Sequence, residues 1–271
     1  MAYQTPGEPA VRLAMSDGGL TFRPVGAGRV IYQPPKDSAA AEGCCLFVDP
    51  DQRYHAICPA GVTGGGLLHA ASDDLRQWSD PEVLDVMADE PRLVRLVEPG
   101  CYCDRQRRLA RIYWTAEFRS PSGTIRRRIW AATTANFSEI SPAVELFDPG
   151  YDVCQAAVAW GQELYLMAFK DDRGRADSQT YFQAIRVGRS QLGTGPFVGV
   201  SARLSESGAA AAALGFLQDH WLLIYRLTGS DEMLGLTSPD GTNWSSAGTI
   251  QAPRAQRFQL IEIPDRAARS L

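Results

Sequence analysis

Met233-Leu-Gly-Leu-Thr-Ser-Pro-Asp-Gly-Thr-Asn-Trp244 runs from an apolar stretch through Ser, Pro, Asp and Gly to an aromatic ring. Apolar alternation suits a half-buried strand, the Ser-Pro-Asp-Gly group forms a turn, and the indole offers a large surface to bury. The same order recurs in Val11-Arg-Leu-Ala-Met-Ser-Asp-Gly-Gly-Leu-Thr-Phe22, Leu67-Leu-His-Ala-Ala-Ser-Asp-Asp-Leu-Arg-Gln-Trp78 and Ile129-Trp-Ala-Ala-Thr-Thr-Ala-Asn-Phe137. The weakest copy is Phe182-Gln-Ala-Ile-Arg-Val-Gly-Arg-Ser-Gln-Leu-Gly-Thr-Gly-Pro-Phe197. Successive aromatics lie 56, 59, 60 and 47 residues apart, the length of a four-stranded antiparallel blade rather than of a helical repeat.

Strand-like stretches fill the intervals. Arg53–Pro59, Leu109–Phe118, Glu163–Phe169 and Trp221–Leu227 are rich in aromatic and β-branched residues and read as second strands. Shorter segments of small residues, Gly43–Val48, Pro99–Cys103, Val153–Trp160 and Ala209–Leu217, suit innermost strands crowded around an axis. Ala209–Ala213 has high helix propensity, but it is short and follows Gly208. The pattern predicts an all-β chain: one five-bladed β-propeller domain over residues 1–271, its ring closed by Arg257–Ile263 and Val11–Met15 in one sheet. Residues 1–9 are expected as a flexible arm and 265–271 as a flexible tail.

Composition narrows the partners. Of 271 residues, 45% are hydrophobic and 21% charged, with 25 Gly and 17 Pro, values of a globular chain with many tight turns. A net charge of −4 gives no footprint for nucleic acid or an anionic membrane surface. No apolar run approaches a membrane span and no signal peptide is legible, so a cytoplasmic protein is expected. The six cysteines then read as free thiols, and five of them fall on or beside innermost strands. They can supply a nucleophile or soft-metal site, or pack as small hydrophobes, the reading favoured here. No His or Cys pair has zinc-site spacing beside a second pair, and neither metal nor cofactor is expected.

Asp49-Pro-Asp-Gln-Arg-Tyr-His55 before Ala71-Ser-Asp-Asp-Leu-Arg-Gln-Trp78, Ile129–Phe137 with Phe147-Asp-Pro-Gly150, then Leu166–Asp172 and Gly195-Pro-Phe197 follow one another in a familiar order. From Gly43 to Ile263 this order resembles glycoside hydrolase family 43, which includes arabinofuranosidases and xylosidases. The resemblance implies inverting hydrolysis, which needs two carboxyl groups about 6.5–9.5 Å apart, the acid with a raised pKa. It puts the family's base Asp at Gly43, its modulating Asp at Gln155, its acid Glu near Ala210 and its axial His at Arg257. The family's Trp-Ala-Pro-Glu-like stretch becomes Val97-Glu-Pro-Gly100.

Glu42, Asp152 and Glu206 stand near these positions as candidate relocated catalytic carboxylates, although acidic residues beside Gly and Ser are more often in solvated loops. Gln155, Arg257, Glu98 and Lys170 are the candidate ligand-binding residues. Arg126-Arg-Arg128 reads as a solvated hairpin turn with the capacity to grip an anion. Trp114, Trp130 and Trp221 read as blade packing. The expected partner is a sugar-like or other small molecule. Three functions fit: a pocket that binds or transforms its ligand by a non-hydrolytic, biosynthetic reaction, the one favoured here; an active glycosidase with relocated carboxylates; and a binding protein without turnover. Glu42 and Glu206 facing each other across the axis would favour the second, and amides and aromatics without a carboxylate pair the third.

Overall fold

The computed structural model describes residues 1–87, 89–104, 107–173, 183–206 and 208–262. The first strands are β1 (Ala2–Gln4), β2 (Val11–Met15), β3 (Arg23–Pro24) and β4 (Val30–Tyr32). Blade I follows with β5 (Cys45–Val48), β6 (Tyr54–Pro59), β7 (Gly66–Ser72) and β8 (Glu82–Asp85). Blade II comprises β9 (Leu93–Asp104), β10 (Leu109–Arg119), β11 (Ile125–Thr134) and β12 (Val144–Phe147). Blade III holds β13 (Val153–Gly161), β14 (Leu164–Asp171) and β15 (Ala184–Ser190), with an isolated bridge from Arg189 to Val198 at its outer edge. Blade IV is β16 (Ala209–Leu217), β17 (His220–Leu227), β18 (Met233–Ser238) and β19 (Ser245–Ile250), and β20 (Arg257–Gln259) ends the described chain's strands.

All pairings between these strands are antiparallel, and the five sheets form the blades of a propeller. The closing blade has the order β20-β1-β2-β3, with β4 also on β2. The chain's last strand is therefore the innermost of the blade that its first strands complete. β16 is a strand in the alanine run, because alternate Ala side chains are the small residues that fit beside the axis. The expected arm over residues 1–9 is corrected: Ala2–Gln4 is a buried strand between β20 and β2. Gln4 fixes it, donating from Nε2 to the carbonyls of Pro9 and Ala40 and accepting the Cys44 N–H at Oε1. Three residues are too few to show a strand period. Ile263 and the expected tail 265–271 lie outside the described residues.

Side chains build the turn after each third strand. Ser72 Oγ accepts the Leu75 N–H at 2.9 Å, and Asp74 Oδ1 accepts the N–H groups of Arg76 and Gln77. Thr134 does the same for Phe137, Ser16 for Gly19, and Asp240 accepts from Thr242 and Asn243. Three residues after the hydroxyl the chain is left-handed, at Gly19, Leu75, Phe137 and Gly241. Aligned on the hydroxyl, Phe22, Trp78 and Trp244 are equivalent, but Phe137 is not: it is the left-handed residue, and Ile140 takes the aromatic's place. The repeat is held by turn hydrogen bonds, and the ring at its end is replaceable.

Five apolar clusters among the described residues each join two neighbouring blades. Phe47, Ile57 and Leu67 of blade I meet Leu96, Ile112 and Trp114 of blade II, and Ala159, Leu166 and Ile185 of blade III meet Leu214, Trp221 and Leu223 of blade IV. Trp114 and Trp221 are wholly buried, and Trp130 packs partly buried against the first cluster. The mutual burial of adjacent faces holds the blades together, since the hydrophobic contribution scales with area removed from water.

A polar chain is sealed into the blade I–II seam. His55 Nδ1 lies 2.9 Å from His69 Nε2, His55 Nε2 lies 3.0 Å from Asp49, and both rings stack on Phe137. Burial, and then the neighbouring His55, lower the pKa of His69 from 6.5 to about 4; burial lowers that of His55 against the opposing pull of Asp49. The unfolded chain therefore takes up protons first as pH falls, and the stability present above about pH 6.5 is lost towards pH 4. Urea midpoints measured between pH 7 and pH 4 should fall by the equivalent of up to about 3 kcal/mol, at about 1.4 kcal/mol per pKa unit. His69→Gln should flatten that dependence.

Candidate functional site

Three inner strands share one irregularity. Glu98, Gln155 and Ala211 have φ of 56, 55 and 53°, and the ladder slips beside each one, between Tyr113 and Thr115, Cys154 and Ala157, and Ala210 and Ala212. In blade I, Gly43 with φ 127° stands at the same end. A bulge re-aims its side chain, and here the three residues line a narrow axial cavity of about 60 Å³ together with Gly43 and Arg257. Ala211 thus stands in the fourth blade where Glu98 and Gln155 stand in the second and third. Left-handed non-Gly residues cost of order 1 kcal/mol or more each, and the hydrogen bonds they enable offset that cost.

Glu98 is the centre of those bonds. Its Oε1 accepts from Arg257 Nη1 at 2.9 Å and Gln155 Nε2 at 2.8 Å; its Oε2 accepts from Thr115 Oγ1 at 3.0 Å and the Gln155 N–H at 3.1 Å. Gln155 Oε1 then accepts the Ala211 N–H at 2.8 Å. Burial pushes the Glu98 carboxyl up, but Arg257, Arg127, Gln155 and Lys170 together outweigh it and hold the pKa below its usual value. Both oxygens are occupied and the group is ionised, so it cannot donate a proton to a leaving group.

The other candidates lie apart from this centre. Glu42 ends a short 3-10 turn and pairs with Arg95 Nη1 at 2.9 Å. Arg95 in turn pairs with Glu117, Glu117 with Arg127 at 2.6 Å, and Arg127 with Asp172. Lys170 is buried beside Asp172, its Nζ 3.5 Å from Oδ1. Asp152 is buried against Arg126 Nε at 2.7 Å and Arg128 Nη1 at 3.4 Å. Glu206 is exposed. Glu42, Asp152 and Glu206, the candidate catalytic carboxylates, are each placed in a different setting, and none is among the residues lining the axial cavity. Arg126-Arg-Arg128 is corrected from hairpin turn to strand, lying within β11, with Arg127 the cross-strand partner of Glu117. Thr115, Glu117 and Arg95 were not singled out in the sequence; Glu117 inside the apolar run of β10, with arginines in the next strand, was the available signal.

Burial pushes the Cys154 thiol up to about 12 and the Cys101 thiol well above its ordinary value. Neutral buried thiols behave as hydrophobes. Among the described residues no group of three or more His, Cys, Asp and Glu is arranged to hold a metal.

Tyr113 divides the axis in two. Its ring lies over Gly100, where an added Cβ would come within 2.1 Å of it, and its hydroxyl accepts the Val158 N–H at 3.2 Å. On the side away from Glu98 the axis widens into a funnel of about 600 Å³, walled by Phe47, Tyr102, Trp160 and Phe216 and edged by Asp17 and His220. Of these two cavities, the funnel falls within the range of about 300–1,000 Å³ usual for ligand pockets.

No protein-family model matches the chain, and no curated protein matches it in sequence. Solved structures do match in shape. An α-L-arabinanase from Penicillium chrysogenum, complexed with arabinobiose, is 12% identical with a TM-score of 0.59, over 95% of this chain and 77% of that one. An α-L-arabinofuranosidase from Fusarium graminearum gives 12% identity and 0.60 over 93% and 76%, and a thermostable family-43 glycoside hydrolase 12% and 0.55 over 75% and 70%. At such identity the likeness establishes the five-bladed fold.

Breaking the central pair should be costly. Arg257→Met strands the Glu98 carboxylate in a buried site, and urea unfolding at pH 7 should show a loss of about 3–5 kcal/mol. Adding Glu98→Gln should restore most of it, and that coupling energy is read from a double-mutant cycle.

Proposed function

We propose that this propeller binds a sugar-like small molecule in its wide axial funnel and does not hydrolyse it. One observation carries the reading: at the Glu98 mouth a single ionised carboxylate is locked to Arg257 and Gln155 in about 60 Å³, whereas the opposite mouth offers about 600 Å³ lined with aromatic rings. Inverting hydrolysis needs a protonated carboxyl and a second carboxylate with a water between them, and Gln155 and Ala211 supply an amide and a methyl group. Arabinobiose, the sugar in the Penicillium chrysogenum complex, is therefore a fitting first probe for binding rather than for turnover. Aromatic faces offer rigid apolar area at little entropic cost, and Trp160, 40% exposed, is placed to contact a ligand ring.

Aryl arabinofuranosides and xylosides should show no release of the aryl group above the uncatalysed rate. Titration of arabinobiose and monosaccharides followed by tryptophan fluorescence should show saturable binding, weakened roughly fivefold by Trp160→Ala. Turnover abolished by Glu98→Gln would overturn the reading in favour of hydrolysis.

A further inference from the structure

We infer that Cys44 and Cys58 form a redox pair, which hydrogen peroxide converts to a disulfide within blade I. The ladder between β5 and β6 sets them opposite each other. It pairs Leu46 with Ala56 and Cys45 with Ile57, so one further step brings Cys44 to Cys58. Side chains alternate between the faces of a strand, and the packing agrees. Leu46 and Ala56 belong to the cluster that joins blade I to the closing blade, with Cys44 packed against it, whereas Cys45 and Ile57 belong to the blade I–II cluster. Cys44 and Cys58 therefore share a face, and Cys45 points to the other.

The hydrogen-bond phase is the one a bridge needs. The Asp49 N–H donates to the Arg53 carbonyl at 3.0 Å, which makes them a bonded pair. By alternation Phe47 with His55 and Cys45 with Ile57 are bonded pairs, while Leu46 with Ala56 and Cys44 with Cys58 are not. The Cys44 N–H accordingly turns away from β6, to Gln4 Oε1 at 3.0 Å. At unbonded positions opposite Cα atoms stand about 4.5 Å apart, inside the span of about 4.4–6.8 Å that a disulfide bridges. The two side chains already meet, since the Cys44 thiol is hydrogen-bonded to Cys58.

Access comes from the axis. Cys44 is half-buried and lines the narrow cavity beside Gly43 and Glu98, whereas Cys58 is wholly buried. About 60 Å³ admits a peroxide molecule, since a water needs only about 10–15 Å³, and excludes a bulky oxidant such as glutathione disulfide. The Cys44 thiolate attacks one peroxide oxygen, the O–O bond breaks, and the departing hydroxide takes the thiol's proton and leaves as water, so that Cys44 becomes a sulfenic acid. Cys58 Sγ then attacks Cys44 Sγ, the S–O bond breaks, and a second water carries off the Cys58 proton. Two thiols and one peroxide give one disulfide and two waters. The hydrogen bond to Cys58, and then burial, push the Cys44 thiol well above its ordinary value, so the first step is slow at neutral pH and quickens in base.

Treatment of the full chain with hydrogen peroxide at pH 8, followed by intact mass and non-reducing peptide mapping, tests the pair. The folded protein should lose the mass of two hydrogen atoms, regained with dithiothreitol, and yield a cross-linked peptide joining Cys44 to Cys58. The rate should rise about tenfold from pH 7 to pH 8. Cys58→Ser should stop at a sulfenic acid on Cys44 that dimedone traps, and Cys44→Ser should leave Cys58 unmodified. A disulfide between other cysteines, oxidation of Cys44 to the sulfinic acid without a cross-link, or an unchanged mass under conditions that oxidise the urea-unfolded chain would overturn the inference. The wild-type peptide map decides even where a variant fails to fold.

Discussion

One carboxylate ties four blades together. Glu98 of blade II takes Arg257 of the closing blade and Gln155 of blade III, and Gln155 passes the connection to the backbone of Ala211 in blade IV. The apolar faces between neighbouring blades fix area and not angle. Directional bonds at the axis set how the inner strands stand relative to one another, and the bulges at Glu98, Gln155 and Ala211 exist to aim these groups inward. The arrangement also spends the axial carboxylate on structure: with four acceptor bonds made and Arg257 beside it, Glu98 has neither the proton nor the free oxygen for chemistry on a sugar.

The surrounding charges follow from the same constraint. A buried carboxylate is tolerated when cations and hydrogen bonds replace water, and those cations need anions in turn. Arg127 is the cross-strand neighbour of Glu117, which also holds Arg95, which holds Glu42. The belt reaches Asp172 and Lys170 on blade III. Glu42, Glu117 and Asp172, which appear in the sequence as isolated acids, are members of one compensated network.

Tyr113 gives the two mouths different characters. Gly100 is required beneath its ring, and the hydroxyl is held by the Val158 N–H. The aromatic partition leaves the Glu98 side narrow, with Glu98 bonded to Arg257, Gln155 and Thr115. The far side is left wide, with no Lys or Arg among its described lining residues. The narrow cavity around Glu98 and the wide funnel are thereby separated along one axis.

The repeated strand-turn-aromatic unit was legible because hydroxyl, Asp or Asn and Gly at fixed offsets make local hydrogen bonds that need no distant partner. The ring of five blades, the inner and second strands and their order all follow from it. What the sequence misplaced were features set by register. A three-residue strand near the start escaped detection, and Phe137 exchanged the aromatic site for the left-handed one. Only the tertiary structure made Glu98 the shared centre and opened the funnel beyond Tyr113, because both arise where residues from different blades, as many as 159 positions apart for Glu98 and Arg257, converge on an axis that no local pattern encodes.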